Sequence, residues 1–162
     1  MASDELDKVE LPALEQLQSL GWSYIKGEQL SPDESDERSS LKDVVLEKRL
    51  TTSLKRINPW INDENLRKVV RELTKTLYPN LVEANQGIWT QINQCISVMQ
   101  DLGRGNKGQT VHIIDFENPE NNEFLCTNQF KVSGVNQNII PDILCFVNGL
   151  PLAVIECKSP YI

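Results

Sequence analysis

The sequence predicts an α/β chain, a mixed β-sheet flanked by helices, and three observations carry that reading. Two apolar runs, residues 143–147 and 150–155, are joined by Asn148-Gly149, the strongest short-range hairpin signal a sequence offers. Apolar residues recur at helical spacing in two earlier segments, Leu46, Leu50, Leu54 and Ile57, then Leu66, Val69, Val70, Leu73 and Leu77. From Thr110 onward the period changes to that of strands.

Bulk properties narrow the class further. A chain of 162 residues with 40% hydrophobic and 24% charged content suits one soluble domain with a sizeable core. No apolar run reaches membrane-spanning length, and M-A-S-D-E-L-D lacks a basic leader and an apolar h-region. Cys95, Cys126, Cys145 and Cys157 show no C-x-x-C spacing, so buried free thiols in a reducing compartment, the cytoplasm, are expected rather than zinc or disulfides. The net charge of -7 argues against tight nucleic-acid binding by this segment alone.

In chain order, residues 3–20 predict a helix with Leu6, Val9, Ala13, Leu17 and Leu20 on one face, stopped by Gly21. Glu10 falls on that face, unless Pro12 marks the first turn and leaves Glu10 in a preceding turn. Trp22 to Ile25 predicts a short strand, and residues 27–38 an exposed loop without a packing signal. Ser40 with Asp43 reads as a capping pair opening a helix through Ile57, with Glu47 beside its apolar stripe. Asn62-Asp63 starts the clearest amphipathic helix, ended by Tyr78-Pro79-Asn80. A further helix from Leu81 to about Asp101 would bury Ile88, Ile92, Cys95, Ile96 and Met99, with Trp60 and Trp89 as core or inter-helix contacts.

Residues 103–108 lack the G-x-x-x-x-G-K-[ST] spacing of a phosphate loop and predict a flexible hairpin-like connection. Strands are expected at 111–116 and 124–132, around a turn that Asp115 stabilises with Asn118 and Asn122. His112, the single histidine, reads as a packed or surface group. Lys48, Arg49, Lys55 and Arg56, and then Arg67, Lys68, Arg71 and Lys75, read as solvated helix faces, with DNA tracking as the functional alternative.

The hairpin concentrates the chemistry. Asp142 opens its first strand, and Glu156 and Lys158 close the second on one pleat face. Apolar residues on both alternating faces predict two central strands covered on two sides. Charges beside such a sheet are costly unless paired or metal-bound, and two converging carboxylates suit Mg²⁺, with Lys158 acting on an attacking water. The reaction class implied is metal-assisted phosphodiester hydrolysis. A regular two-residue loop would set Asp142 against Ile155, on the face opposite Glu156, so the site requires a bulge at Gly149 or elsewhere in the hairpin.

P-D, thirteen residues, then E-C-K resembles the signature of PD-(D/E)XK nucleases. V-N-G-L-P-L-A-V-I-E-C-K-S-P resembles the nuclease region of type I restriction enzyme R subunits. The L-x-x-L-G-W from Leu17, R-S-S-x-x-x-V-V-L from Arg38, I-N-P from Ile57, and I-D-F-E-N-P-E-N-N-E-F with N-Q-F from Ile114 extend that resemblance over nearly the whole chain.

The resemblance implies one N-terminal endonuclease domain over 1–162, a PD-(D/E)XK core with a helical portion at about 40–101 and a sheet core at about 110–158. Asp142 and Glu156 would bind Mg²⁺, the backbone carbonyl of Cys157 would add a ligand, and Lys158 would position the water. Glu10 would be an extra metal or water ligand, with Glu47 a weaker second candidate; Gln129 matches a family position without an assigned chemistry. The implied substrate is double-stranded DNA. The implied partners are methylation and specificity subunits, with ATP used by a downstream translocase region. The family also implies a helix, a strand and a Q-x-x-x-Y motif beyond Lys158, which a chain stopping at Ile162 lacks, so activity in isolation is doubtful and an open sheet edge that dimerises or is poorly ordered is expected. A rival reading makes the chain a docking module for a motor; a third keeps nuclease chemistry on junction or single-strand DNA.

Overall fold

The computed structural model describes residues 6–74, 80–134 and 136–158. Its helices are α1 (Leu11–Ser19), α2 (Glu47–Ile57), α3 (Asp63–Thr74) and α4 (Leu81–Gln94). Its strands are β1 (Ser23–Tyr24), β2 (Ile96–Asp101), β3 (Asn106–Val111), β4 (Phe124–Asn128), β5 (Val132–Ser133), β6 (Asn138–Ile139), β7 (Ile143–Val147) and β8 (Leu150–Ile155). The chain forms two compact units, one of Met1–Leu46 with Glu123–Ile162 and one of Glu47–Asn122. Both helices and a mixed sheet are present, as the sequence predicts.

The first unit is built on a four-stranded sheet of order β1-β4-β7-β8, with β1 parallel to β4 and the remaining pairs antiparallel. All five residues of β7 are buried, because both sheet faces are covered. On one face Leu14, with Val9, Ala13, Leu17, Trp22 and Tyr24, packs against Cys126, Ile143, Cys145 and Cys157. On the other, Leu30, Leu46, Phe130 and the partly buried Ile25 and Val132 pack against Leu125, Leu144 and Phe146. Each such side chain contributes roughly 1.5–3 kcal/mol on burial.

The N-terminal helical segment starts differently from the prediction. Residues 3–5 lie outside the described residues. A π-helical turn, Leu6–Glu10, runs into α1, where Pro12 occupies the first turn, as its missing N–H permits. Gly21, at φ 94°, ends the helix: its N–H bonds to the carbonyl of Gln18, and that of Trp22 to the carbonyl of Leu17.

Residues 27–38 correct the prediction of an exposed loop. A 3₁₀ turn, Gly27–Leu30, buries Leu30, and Arg38 is only 4% exposed. The Arg38 guanidinium donates to the carbonyls of Lys131 (3.0 Å) and Leu41 (2.8 Å) and lies 4.0 Å over the Phe130 ring. Burial lowers its pKa, and Asp43 opposes that shift. One apolar residue and one arginine in a polar stretch give no periodicity to read. Ser40 and Asp43 do pair, but in a turn: Asp43 Oδ2 accepts from the N–H groups of Ser39 and Ser40, and the helix begins only at Glu47.

In the second unit α3 begins at Asp63 as predicted and buries Leu66, Val69, Val70 and Leu73; Leu77 and Tyr78-Pro79 lie outside the described residues. Asn80 caps α4, its side chain accepting from the Glu83 N–H. That helix stops at Gln94, where Cys95 turns to φ 63°, and residues 96–101 form a strand with Ile96, Val98 and Gln100 inward. The predicted continuation of the helix to Asp101 was wrong because Ile92, Cys95, Ile96 and Met99 fit helical spacing, while the inward Gln100 is polar. Its Oε1 accepts from Asn62 N–H and Asn65 Nδ2, and its Nε2 donates to the Trp60 carbonyl.

The expected strand at 111–116 ends at Val111, and that at 124–132 is split at Gln129. The 101–106 connection is the turn of the β2–β3 hairpin. Trp89, predicted as packed, is 63% exposed, whereas Trp60 is half-buried. Cys126, Cys145 and Cys157 are buried and Cys95 is half-buried, and none of the four forms a disulfide among the described residues. Among the described residues no helix is long and apolar enough to cross a membrane.

A Cβ on Gly27 would lie 2.7 Å from the Gln129 carbonyl carbon and closer still to the Asn128 carbonyl oxygen, both backbone. Gly27→Ala should therefore cost about 1–3 kcal/mol in urea denaturation. Arg38→Ala, which leaves two carbonyls without their charged donor, should cost roughly 3 kcal/mol by the same measurement; a loss under about 0.5 kcal/mol would contradict the account of either residue.

Candidate metal centre

The hairpin turn takes the form Asn-Gly favours. Asn148 (φ 54°) and Gly149 (φ 81°) are both left-handed, and Val147 pairs with Leu150 across a two-residue loop. The Asn148 side chain also accepts from the Glu123 N–H at 2.8 Å, fastening the turn to the start of β4.

Two steps on, the register shifts. Phe146 pairs with Pro151 but Cys145 pairs with Ala153, so Leu152 is an extra residue in β8. The bulge required for the site is present, at Leu152 and not at Gly149. Pro151 has no N–H to give, so the ladder is already interrupted there. Beyond the bulge Ile143 pairs with Ile155, the last pair of the ladder, and the same register carried one step further would set Asp142 opposite Glu156. Directly opposed residues share a sheet face.

Asp142 is half-buried, and its Oδ2 accepts the N–H of Cys157 at 2.7 Å. The Cys157 side chain is buried with Ile143 and Cys145 on the α1 face, so its exposed neighbours Glu156 and Lys158 alternate to the other face. The structure thus brings Asp142, Glu156 and the Cys157 backbone to one end of β7 and β8, with Lys158 one pleat further. The expectation that both strands are covered on two sides holds for β7 alone. β8 is an edge strand among the described residues, with Leu152, Val154 and Ile155 exposed.

Glu10 is 5% exposed at the end of the π-helical turn, in helical backbone geometry. The Gln129 side-chain amide donates to its Oε2 at 3.4 Å, and the Gln129 N–H donates to the Asp142 carbonyl at 3.3 Å. No reading of the sequence assigned Gln129 this link. Its φ of 55°, which starts the link, is unusual for glutamine and leaves no mark in composition.

The other candidates lie elsewhere. Glu47 is exposed in the first turn of α2, within the second unit, and lines a cavity of about 540 Å³ with Thr51, Asp63, Arg67 and Arg71. His112 is exposed, its Nδ1 3.5 Å from Cys95 Sγ. Asp115 stabilises its turn as predicted: it accepts from Asn121 Nδ2 and from the N–H groups of Asn118 and Glu117, bonds that hold its carboxyl below the usual carboxylate range.

Among the described residues no three His, Cys, Asp or Glu side chains converge into a metal-binding group. The carboxylates of Asp142 and Glu156 with the Cys157 carbonyl are oxygen donors of the kind that suits Mg²⁺, an ion usually bound by one or two carboxylates with water and phosphate oxygens completing its shell. The Cys157 N–H fixes the orientation of one of those carboxylates. Because that bond needs only an acceptor oxygen, Asp142→Asn should denature within about 0.5 kcal/mol of the native chain, whereas Asp142→Ala should lose about 1–2 kcal/mol. Equal stability of the two variants would show that the bond carries no weight.

Comparison with known proteins places these residues in context. The family model described as type I restriction enzyme R protein N terminus matches residues 3–162. A putative type I restriction enzyme MjaIXP endonuclease subunit of Methanocaldococcus jannaschii is 36% identical over 155 residues, 94% of this chain. The type I restriction enzyme HindI endonuclease subunit of Haemophilus influenzae is 35% identical over 154 residues, also 94% of the chain. The chain spans 15% of the length of each. A match over almost every residue leads to one assignment: the chain belongs to the family of type I restriction enzyme R protein N-termini.

Proposed function

We propose that this chain is the Mg²⁺-dependent endonuclease region of a type I restriction R subunit, hydrolysing phosphodiester bonds of double-stranded DNA. The observation that supports it best is the bulged hairpin, whose extra Leu152 gives the register in which Asp142 and Glu156 would share a face, with Asp142 Oδ2 accepting the Cys157 N–H at 2.7 Å. Asp142 and Glu156, with the carbonyl of Cys157, would hold the ion. When bound, Mg²⁺ supplies Lewis-acid polarisation of a phosphoryl oxygen and a more acidic water. Lys158, an exposed ammonium two residues from Glu156, orients the attacking water by donating to its oxygen and offsets the negative charge that develops on phosphorus. The Cys157 N–H holds Asp142 in place throughout.

DNA contact needs positive charge, which the acidic chain supplies locally. Ten of the 16 lysines and arginines fall within residues 47–122. In the same reading, ATP-driven translocation belongs to further parts of the longer subunit, methylation and specificity subunits are the partners, and the setting is the cytoplasm. A docking module is the second reading, favoured by the exposed Leu152, Val154 and Ile155 along β8.

Metal binding separates the two. Calorimetric titration with Mn²⁺ should give binding to the native chain, a loss of at least about ten-fold in Asp142→Ala and in Glu156→Ala, and near-native affinity in Lys158→Ala. In the full-length subunit Lys158→Ala should still abolish cleavage. Retained binding in both acid variants would refute a metal centre at the hairpin and favour the docking module.

A further inference from the structure

The second unit brings a thiol and an imidazole together, away from the hairpin. Cys95 closes α4 and His112 follows β3, immediately beyond the Ile96–Val111 pair that ends the β2–β3 ladder. There Cys95 Sγ lies 3.5 Å from His112 Nδ1, with the cysteine half-buried and the histidine exposed. Backbone holds both sides of this contact. Cys95 has φ 63° and ψ 174°, a region confined almost entirely to glycine. Asn58, 1% exposed, grips His112 by its main chain: its Nδ2 donates to the His112 carbonyl at 2.8 Å, and its Oδ1 accepts the His112 N–H at 2.9 Å. Glycine would end α4 without strain, and the Asn58 grip needs no imidazole, so neither side chain is required by the backbone that carries it.

We propose that Cys95 is a modification site, a nucleophilic thiol that His112 activates for exchange with a low-molecular-weight disulfide. The thiolate is the nucleophile, and an adjacent imidazole favours it by taking the proton. In the tautomer with its own proton on Nε2, His112 takes the Sγ proton at Nδ1, and the thiolate attacks one sulfur of R–S–S–R. The Cys95–S–S–R bond forms as the old S–S bond breaks, and the departing R–S⁻ recovers the proton from the imidazolium. Cys95 ends oxidised and one R–SH is the reduced product. The remaining cysteines do not compete: all three are buried, and burial pushes the Cys126 thiol up to about 11 and raises that of Cys145 as well. The site lies within residues 47–122 and does not rest on the metal reading given above.

Oxidised glutathione tests the assignment on the folded chain, with adducts counted by intact-mass spectrometry and located by peptide mapping. One adduct should form, on Cys95, and at neutral pH it should form about ten-fold faster than in His112→Gln. That variant keeps the Asn58 bonds, which are to the main chain, so its thermal midpoint should stay within a few degrees of the native one. A second readout needs no reagent. His112 is the single histidine, so its ring ¹⁵N resonances are unambiguous, and they should shift in Cys95→Gly, whose glycine accepts the backbone while removing the thiol. Equal rates in the native chain and His112→Gln, a first adduct on Cys126, Cys145 or Cys157, no adduct at all, or unmoved ring resonances would each overturn the inference. None of these results bears on Mn²⁺ binding at the hairpin.

Discussion

The arrangement of the candidate site depends on parity. Side chains alternate strictly along a strand, so two acids at the open end of a hairpin share a face only if the count of residues between them is right. The sequence between Asp142 and Glu156 has the wrong count for the two-residue turn that Asn148-Gly149 forms, and Leu152 corrects it by standing outside the ladder. The correction comes beside Pro151, where one ladder donor is already missing, so little hydrogen bonding is sacrificed. Once parity is restored, the Cys157 N–H can reach Asp142 Oδ2 and fix the end of the hairpin.

That end is rigid because of where β7 lies. Flanked by β4 and β8 and covered on both faces, it cannot shift by one residue without moving Ile143 and Cys145 away from α1 and Leu144 and Phe146 away from Phe130 and Leu30. The site therefore draws its precision from the core and not from its own loops. The segment between β1 and α2 contributes to the same core: Leu30 and Leu46 fill the second face, and Arg38 closes it by satisfying two carbonyls while covering Phe130.

Much of this was legible from residues alone. Asn148-Gly149, the two apolar runs, the Gly21 helix stop, the Asp63 helix start and the Asp115 turn all rest on local chemistry that a short window contains. The need for a bulge followed from parity, but its position did not, because the turn and Pro151 compete to host it. Residues 96–101 were misread as helix because a four-residue apolar pattern satisfies both periods, and Cys95 gives no sign of its left-handed backbone. Leu30 and Arg38 were missed for a different reason: their partners Phe130, Leu41 and Lys131 come mostly from distant sequence, and no local pattern encodes that meeting. The link from Gln129 to Glu10 spans 119 positions and is of the same kind.

The division of the chain also bears on how its chemistry is organised. Asp142, Glu156, Lys158, Glu10 and Gln129 all belong to the unit of residues 1–46 and 123–162, which carries most of the acidic charge. Residues 47–122 interrupt that unit in sequence and hold most of the basic charge but only one proposed acid, Glu47, which lines a cavity within its own unit. A site that concentrates carboxylates attracts a cation and repels the phosphate backbone, whereas a basic surface does the reverse. The hairpin unit, with 14 acids against six bases, has the cation-favouring balance, whereas residues 47–122, with ten bases against nine acids, are close to neutral.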